Sequence, residues 1–116
     1  MSTPLQVLKS EFFRALAHPT RIRILERLVQ GERSVQDLQS ALVLGQPVVS
    51  QHLAALRARN VVTVRREGTQ AYYALRSPLV ADLLRVAREF LNQRLSESQS
   101  ESQSMLRELK REDRQG

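Results

Sequence analysis

The sequence predicts a mainly α-helical domain with one small β-hairpin, and two spacing patterns support this fold class. Over residues 5–58, and again from residue 78, apolar side chains recur every three or four positions, which is the spacing of a buried helix face. Over residues 62–75 the pattern changes to alternation around a glycine, which is typical of two strands joined by a turn. The length of 116 residues suits a single core.

Two helices are predicted before residue 31. The first covers residues 5–17, and the second begins at Pro19, because proline fits the first turn of a helix. Gly31 is a natural stop for the second helix. The expected apolar stripe of the first helix is Leu5, Leu8, Phe12, Phe13 and Leu16. The expected buried face of the second helix is Ile22, Leu25, Leu28 and Val29.

A third and a fourth helix follow, separated by a short turn. We expect Ser34 to cap the third helix, with Asp37 three residues later completing a capping box. The fourth helix begins at Gly45 or Gln46, since Pro47 suits its first turn. Its core stripe is Val49, Leu53 and Leu56. The polar side chains of the fourth helix are therefore expected on its outer face.

The hairpin and a last helix complete the order of elements. Val62 and Val64 lie on the first predicted strand, and Gly68 supplies the turn. The last helix begins near Pro78, and its apolar face is too wide for one small core, so part of it should pack on a second subunit. From Ser96 the sequence is polar. We therefore divide the chain into a domain over residues 1–95 and a polar tail or frayed helical extension over residues 96–116.

Charge indicates the kind of partner. The formal net charge is +6, and residues 38–66 contain no aspartate or glutamate, which favours a polyanion. The chain has no cysteine, so disulfides and thiolate metal sites are excluded. No apolar stretch suits a membrane span or a secretory signal, and we expect a cytoplasmic protein. The carboxylates and the two histidines are scattered, so no catalytic constellation is visible and we expect no enzyme and no cofactor.

The order of elements is that of a winged helix-turn-helix, whose second helix enters the major groove of double-stranded DNA. Glutamine can hydrogen-bond adenine there, serine can donate or accept, and a carboxylate would face phosphates. Arginines beside the hairpin turn would meet the DNA backbone. The predicted DNA-binding residues are Gln46, Val48, Ser50, Gln51, His52, Arg57, Arg65, Arg66 and Thr69.

Alternatives remain for several of these residues. His52 could instead be a partly buried residue at the edge of the core, and Arg65 and Arg66 could be ordinary solvated strand residues. Arg57 fits a surface charge as well as a DNA contact. The whole domain could also be a protein–protein adaptor, because a fold does not dictate its function. An adaptor would tend to expose large apolar or acidic residues on the fourth helix, where Val48 is the single candidate.

Three segments resemble the ArsR/SmtB-type winged-helix repressors of bacteria. They are "LAHPTRIRIL" (16–25), "QPVVSQHLAALRARNVV" (46–62) and "VRREGTQAYYAL" (64–75), and the resemblance covers about residues 8–92. It implies a homodimer, formed through the first and last helices, that binds operator DNA and releases it when an inducer binds. The dimerisation residues it implies are Leu5, Leu8, Phe12, Leu83, Val86, Ala87, Phe90 and Leu91.

The chain departs from the metal-sensing members of that family. Where some carry cysteines before the recognition helix, this sequence reads "RSVQDLQSAL", and its last helix, "VADLLRVAREFL", has no histidine. Neither of these two metal-site plans can be built from such residues. We therefore expect no metal, and the sequence names no inducer.

Overall fold

The computed structural model describes the backbone of residues 3–115 and the side chains of residues 3–112. The helices are α1 (Leu5–Leu16), α2 (Pro19–Val29), α3 (Val35–Leu42), α4 (Gln46–Ala58) and α5 (Pro78–Gln115). The strands are β1 (Arg33–Ser34), β2 (Val62–Glu67) and β3 (Gln70–Leu75). The chain divides into two compact units, the first ending at Asp82 and the second beginning at Leu83. The predicted fold class, mainly α with a winged helix-turn-helix, is confirmed.

Side-chain hydrogen bonds cap the starts of α2 and α3. Nδ1 of His18 accepts a hydrogen bond from the backbone N–H of Thr20 (3.1 Å), and Pro19 follows in the first turn of α2. The predicted capping box of α3 is present. The Asp37 N–H donates to Ser34 Oγ (3.1 Å), and the Ser34 N–H donates to an Asp37 carboxylate oxygen (3.2 Å). Both caps satisfy N–H groups that a helix leaves without a partner.

The sheet has three strands in the order β1-β3-β2, where the sequence predicted only the two of the hairpin. β2 and β3 are antiparallel, with Val62 opposite Leu75 and Glu67 opposite Gln70. Gly68 closes the turn at φ 61°, a left-handed conformation that glycine adopts without strain. The prediction missed β1 because a strand of two residues has no recognisable period. This strand sets α3 against the hairpin.

The core of the first unit lies among α2, α3, α4 and the sheet. The eight largest side chains that are fully buried are Ile24, Leu25, Leu38, Val49, Leu53, Leu56, Val61 and Val62. The predicted face of α2 was partly wrong, because Val29 is 47% exposed and Ile22 is half-buried, whereas Ile24 is fully buried. At about 100° per residue, Ile24, Leu25 and Leu28 share one arc of the helix, and Ile22 and Val29 lie just outside it.

The last helix is continuous from Pro78 to Gln115 and includes residues 96–115 of the predicted tail, whose last residue lies outside the described part of the chain. The Leu79 N–H donates to Ser77 Oγ (3.1 Å) at its start, and Val80 is buried. The domain boundary at residue 95 stays a prediction. Over the described part of the chain, no helix has both the length and the apolar character needed to cross a bilayer.

Candidate DNA interface

The outer face of α4 follows from its buried stripe. Val49, Leu53 and Leu56 are completely buried. At about 100° per residue, the side opposite this stripe carries Gln51 and Ala54, and both are exposed. This face therefore carries a polar side chain near its N-terminal end and a small one further along. The small side chain lets the helix approach a partner closely. The prediction that these three residues of α4 face the core is confirmed.

The N-terminal end of α4 is open to an anion. Gly45 occupies the N-cap position and has no side chain, so no side-chain hydrogen bond closes this end. Pro47 in the first turn has no N–H to donate, while the other free N–H groups of that turn and the helix dipole favour negative charge. A DNA phosphate is one such anion.

One flank of α4 faces the hairpin across an open groove of about 600 Å³. Gln46 and Ser50 line it from α4, and Nε2 of Gln46 donates a hydrogen bond to Ser50 Oγ (2.7 Å). Arg66 and Thr69 line it from the hairpin. Four of the predicted DNA-binding residues therefore meet at one surface, and none of the groove's lining residues is acidic.

Helix α3 also contributes to this groove, which the sequence pattern did not predict. Gln36 and Gln39 line it together with Gln70 of β3. Their spacing was a usable signal, because residues 36 and 39 are three positions apart and share the side of α3 that is not its Leu38 and Leu42 core face. These amides add donors and acceptors to the groove.

The two neighbouring arginines of β2 have different surroundings. Arg65 Nη2 lies 2.7 Å from Glu32 Oε1, its other Nη pairs with Glu67, and its guanidinium sits 4.7 Å from the centre of the Tyr72 ring. These carboxylates raise the pKa of Arg65, and hydrogen bonding to Arg65 lowers the pKa of Glu32. Arg66 points into the groove, and within residues 3–112 no carboxylate pairs with it.

His52 lies on the other flank of α4, against the start of α2. Its Nδ1 accepts a hydrogen bond from Arg21 Nε (3.2 Å), and its ring centre is 4.4 Å from that of His18. Partial burial, and then the charges of His18 and Arg21, lower the pKa of His52. The structure thus places His52 at the partly buried edge of the core, apart from the groove that holds Gln46 and Ser50.

Two further predicted DNA-binding residues, Val48 and Arg57, lie on α4 outside the lining of the groove. Val48 is 42% exposed on the same flank as His52. Arg57 is exposed in the last turn of α4, on the groove side of the helix. Among the described side chains, no three histidines or carboxylates gather into a group that could hold a metal ion.

The fold and this surface together define a winged helix-turn-helix transcriptional regulator that binds DNA. The model of the bacterial regulatory protein family arsR matches residues 18–64. Rv0081 of Mycobacterium tuberculosis H37Rv, named as an uncharacterized HTH-type transcriptional regulator, is 50% identical over 97 residues, which cover 83% of this chain and 85% of that protein. The chain belongs to the ArsR family of bacterial regulatory proteins.

Other comparisons agree in sequence and in structure. The crystal structure of Rv0081 matches with a TM-score of 0.76 at 48% identity, covering 83% of this chain and 97% of that chain. The homodimeric winged helix-turn-helix DNA-binding domain Mb0332 of Mycobacterium bovis matches with a TM-score of 0.74 at 33% identity, covering 78% and 84%. A transcriptional repressor SmtB homolog of Synechocystis is 37% identical over 84 residues, covering 72% and 64%. The resemblance to the ArsR/SmtB family is confirmed.

Proposed function

We propose that two copies of this chain form a repressor that binds an inverted-repeat operator, with α4 of each copy in the major groove. The Mycobacterium bovis relative is a homodimer and the Synechocystis relative is named a repressor, and both support this proposal. The observation that carries it is the groove in which Gln46 and Ser50 of α4 meet Arg66 and Thr69 of the hairpin without a carboxylate.

Base recognition is assigned to the polar part of α4. Gln51 is exposed opposite the buried stripe, so it projects furthest from the domain, and its amide can bridge two positions on an adenine edge. Gln46 and Ser50 lie beside it, hydrogen-bonded to each other. Ala54 is exposed and small, so α4 can come close to the base edges on the floor of the DNA major groove. These residues together would read about one half-site.

Backbone contacts are assigned to the hairpin. Arg66 has its charge available and lies on the same groove as Gln46, so it can reach a phosphate when α4 enters the major groove. Thr69 at the turn adds a hydroxyl donor. Arg57 is assigned a secondary phosphate contact from the end of α4.

Arg65 and His52 are assigned positioning roles. Arg65 ties β2 to Glu32, which precedes β1, and so fixes the hairpin relative to α3. His52 ties α4 to Arg21 at the start of α2. An adaptor function would need an apolar outer face on α4, and among its described residues Val48 is the only large apolar side chain exposed there.

The dimer is assigned to α1 and α5. Leu5, Leu8, Val86, Phe90 and Leu91 are exposed large apolar residues, and such side chains in water mark an interface. Ala87 is exposed as well, and Phe12 and Leu83 are half-buried. In a two-fold dimer of winged helices, the two α4 helices would lie about 34 Å apart, one turn of DNA.

Capture of genomic DNA fragments on the purified protein tests the proposal. The recovered fragments should share an inverted repeat whose half-sites are centred about 10 base pairs apart, and transcription in vitro from such a fragment should fall when the protein is added. Arg66→Ala should recover few fragments, whereas Arg27→Ala, which removes an exposed charge of α2 outside the groove, should recover the same set as wild type. Recovery of unrelated sequences by the wild-type protein would contradict the proposal.

A further inference from the structure

The C-terminal half of α5 carries a second helical stripe that the DNA-binding function leaves unexplained. Its members follow one another at alternating steps of three and four residues, the spacing of a coiled-coil seam. They are Arg88, Leu91, Leu95, Ser98, Ser102, Met105, Leu109 and Glu112, and all are exposed. At 1.5 Å per residue the stripe is roughly 36 Å long.

This part of the chain gains nothing from packing within its own unit. The unit from Leu83 onward is a single helix, and Leu95 and Met105 are 63% and 64% exposed. A helix in water takes most of its stability from burial of one face against a partner. A second helix packed against the stripe would therefore stabilise this part of α5.

The order of residues in the stripe is self-complementary about residue 100. Reversing the helix about that point exchanges Leu91 with Leu109, Leu95 with Met105, and Ser98 with Ser102. It also exchanges Arg88 with Glu112, two opposite charges. A second copy running antiparallel thus places large apolar residues together at both ends, small serines at the centre, and an ion pair beyond each end.

Charges beside the stripe favour the same direction. In an antiparallel pair centred on residue 100, Arg94 of each copy lies next to Glu108 of the other. The two copies of Glu101 meet at the centre, and this is the one repulsive pair beside the stripe that the arrangement creates. A parallel pair in register would instead stack Arg88 on Arg88 and Glu112 on Glu112 inside the seam.

From this charge and shape complementarity we propose that residues 88–112 form an antiparallel helix pair with the same segment of a second copy of the chain. The stripe shares only Leu91 with the predicted dimerisation residues, and its other members form a further self-association surface. This proposal depends on the stripe alone, so it stands or falls independently of the operator-binding proposal.

Single cysteines report the direction of the pair, because the natural chain has none. Full-length Ser98→Cys and Ser102→Cys are mixed in equal amounts and oxidised mildly, and the disulfides are identified by mass spectrometry after proteolysis. The antiparallel pair places residue 98 opposite residue 102 of the partner. The mixed disulfide should therefore exceed the half share that random pairing would give. Ser100→Cys, which lies outside the stripe, is the matched control and should cross-link least.

Two outcomes would overturn the proposal. Efficient cross-linking of each variant to itself, without excess of the mixed product, would indicate a parallel pair. Cross-linking no higher than that of Ser100→Cys would indicate no pair. A charge exchange gives a second measurement: Arg94→Glu should weaken self-association in sedimentation runs, and adding Glu108→Arg should restore it. Failure of the double variant to recover would contradict the Arg94–Glu108 contact.

Discussion

Nδ1 of His52, on α4, accepts a hydrogen bond from Nε of Arg21 at the start of α2, 3.2 Å away. The His18 ring lies against His52, with ring centres 4.4 Å apart, and His18 itself caps α2 through Thr20. The orientation of α4 is therefore coupled to the first turn of α2. Because both histidines accept hydrogen bonds through Nδ1, this coupling requires that neither Nδ1 carries a proton.

Acidification should weaken the fold through His52. Its pKa lies below the ordinary histidine value of 6.5, so the unfolded chain takes up a proton on His52 at a pH where the folded chain does not. The free energy of unfolding should therefore fall as the pH drops through 6.5 and level off below the lowered pKa. Urea unfolding from about pH 8 to about pH 5 measures this.

His52→Asn is the control for that experiment. Its amide oxygen can still accept from Arg21, but it does not titrate. Arg21 also borders a cleft lined by Glu11 and Arg14 of α1 and Arg59 of α4, and these groups are unchanged in the variant. The variant should lose less stability on acidification than wild type. An equal loss in both proteins would show that His52 does not contribute.

Arg66 and Arg65 should differ in their effect on DNA binding. Arg66 is available to a phosphate, so Arg66→Ala should weaken binding to every duplex and reduce the slope of log affinity against log salt by about one unit per subunit. Arg65 is already held by Glu32 and Glu67, so Arg65→Ala should leave that slope close to the wild-type value. Fluorescence anisotropy over a range of salt concentrations gives both slopes. The reverse order of effects would refute the assignment.

The dimer should depend on the apolar face of α5. Phe90 is 58% exposed, so a charge there should be costly only if a second subunit covers it. We expect Phe90→Asp to sediment at a lower mass than wild type and to lose affinity for the inverted repeat. Asn92→Asp places the same charge on the opposite side of the helix and should remain a dimer. Wild-type affinity of Phe90→Asp for the inverted repeat would exclude this interface.

Local spacing predicted much of this fold, and long-range pairing explains what it missed. The stripe Val49, Leu53 and Leu56 could be predicted because the period of one helix determines it, and all three residues are fully buried. The capping box at Ser34 is equally local. Strand β1, in contrast, exists only through pairing with β3, which lies about 40 residues further along the chain.

The same distinction separates the site residues. Gln46 and Ser50 are one helical turn apart, so their common flank follows from the sequence. Arg65 and Arg66 alternate across a strand, which indicates opposite directions, yet the strand pattern does not show which of them meets a carboxylate. Glu32 is 33 positions from Arg65, and Arg21 is 31 positions from His52, and no periodicity links such pairs. The partners of Arg65 and His52 could therefore be seen only in the folded structure.

In the proposed complex with DNA, α4 presents Gln51 to base edges. The most direct measurement is the affinity of wild type and Gln51→Ala for the captured operator and for a set of single base-pair variants of it. Wild type should lose about 1–3 kcal/mol at one base pair in each half-site, and Gln51→Ala should lose that discrimination while keeping the others. Gln93→Ala, an exposed glutamine of α5, should match wild type. A Gln51→Ala profile identical to wild type at every position would contradict the account.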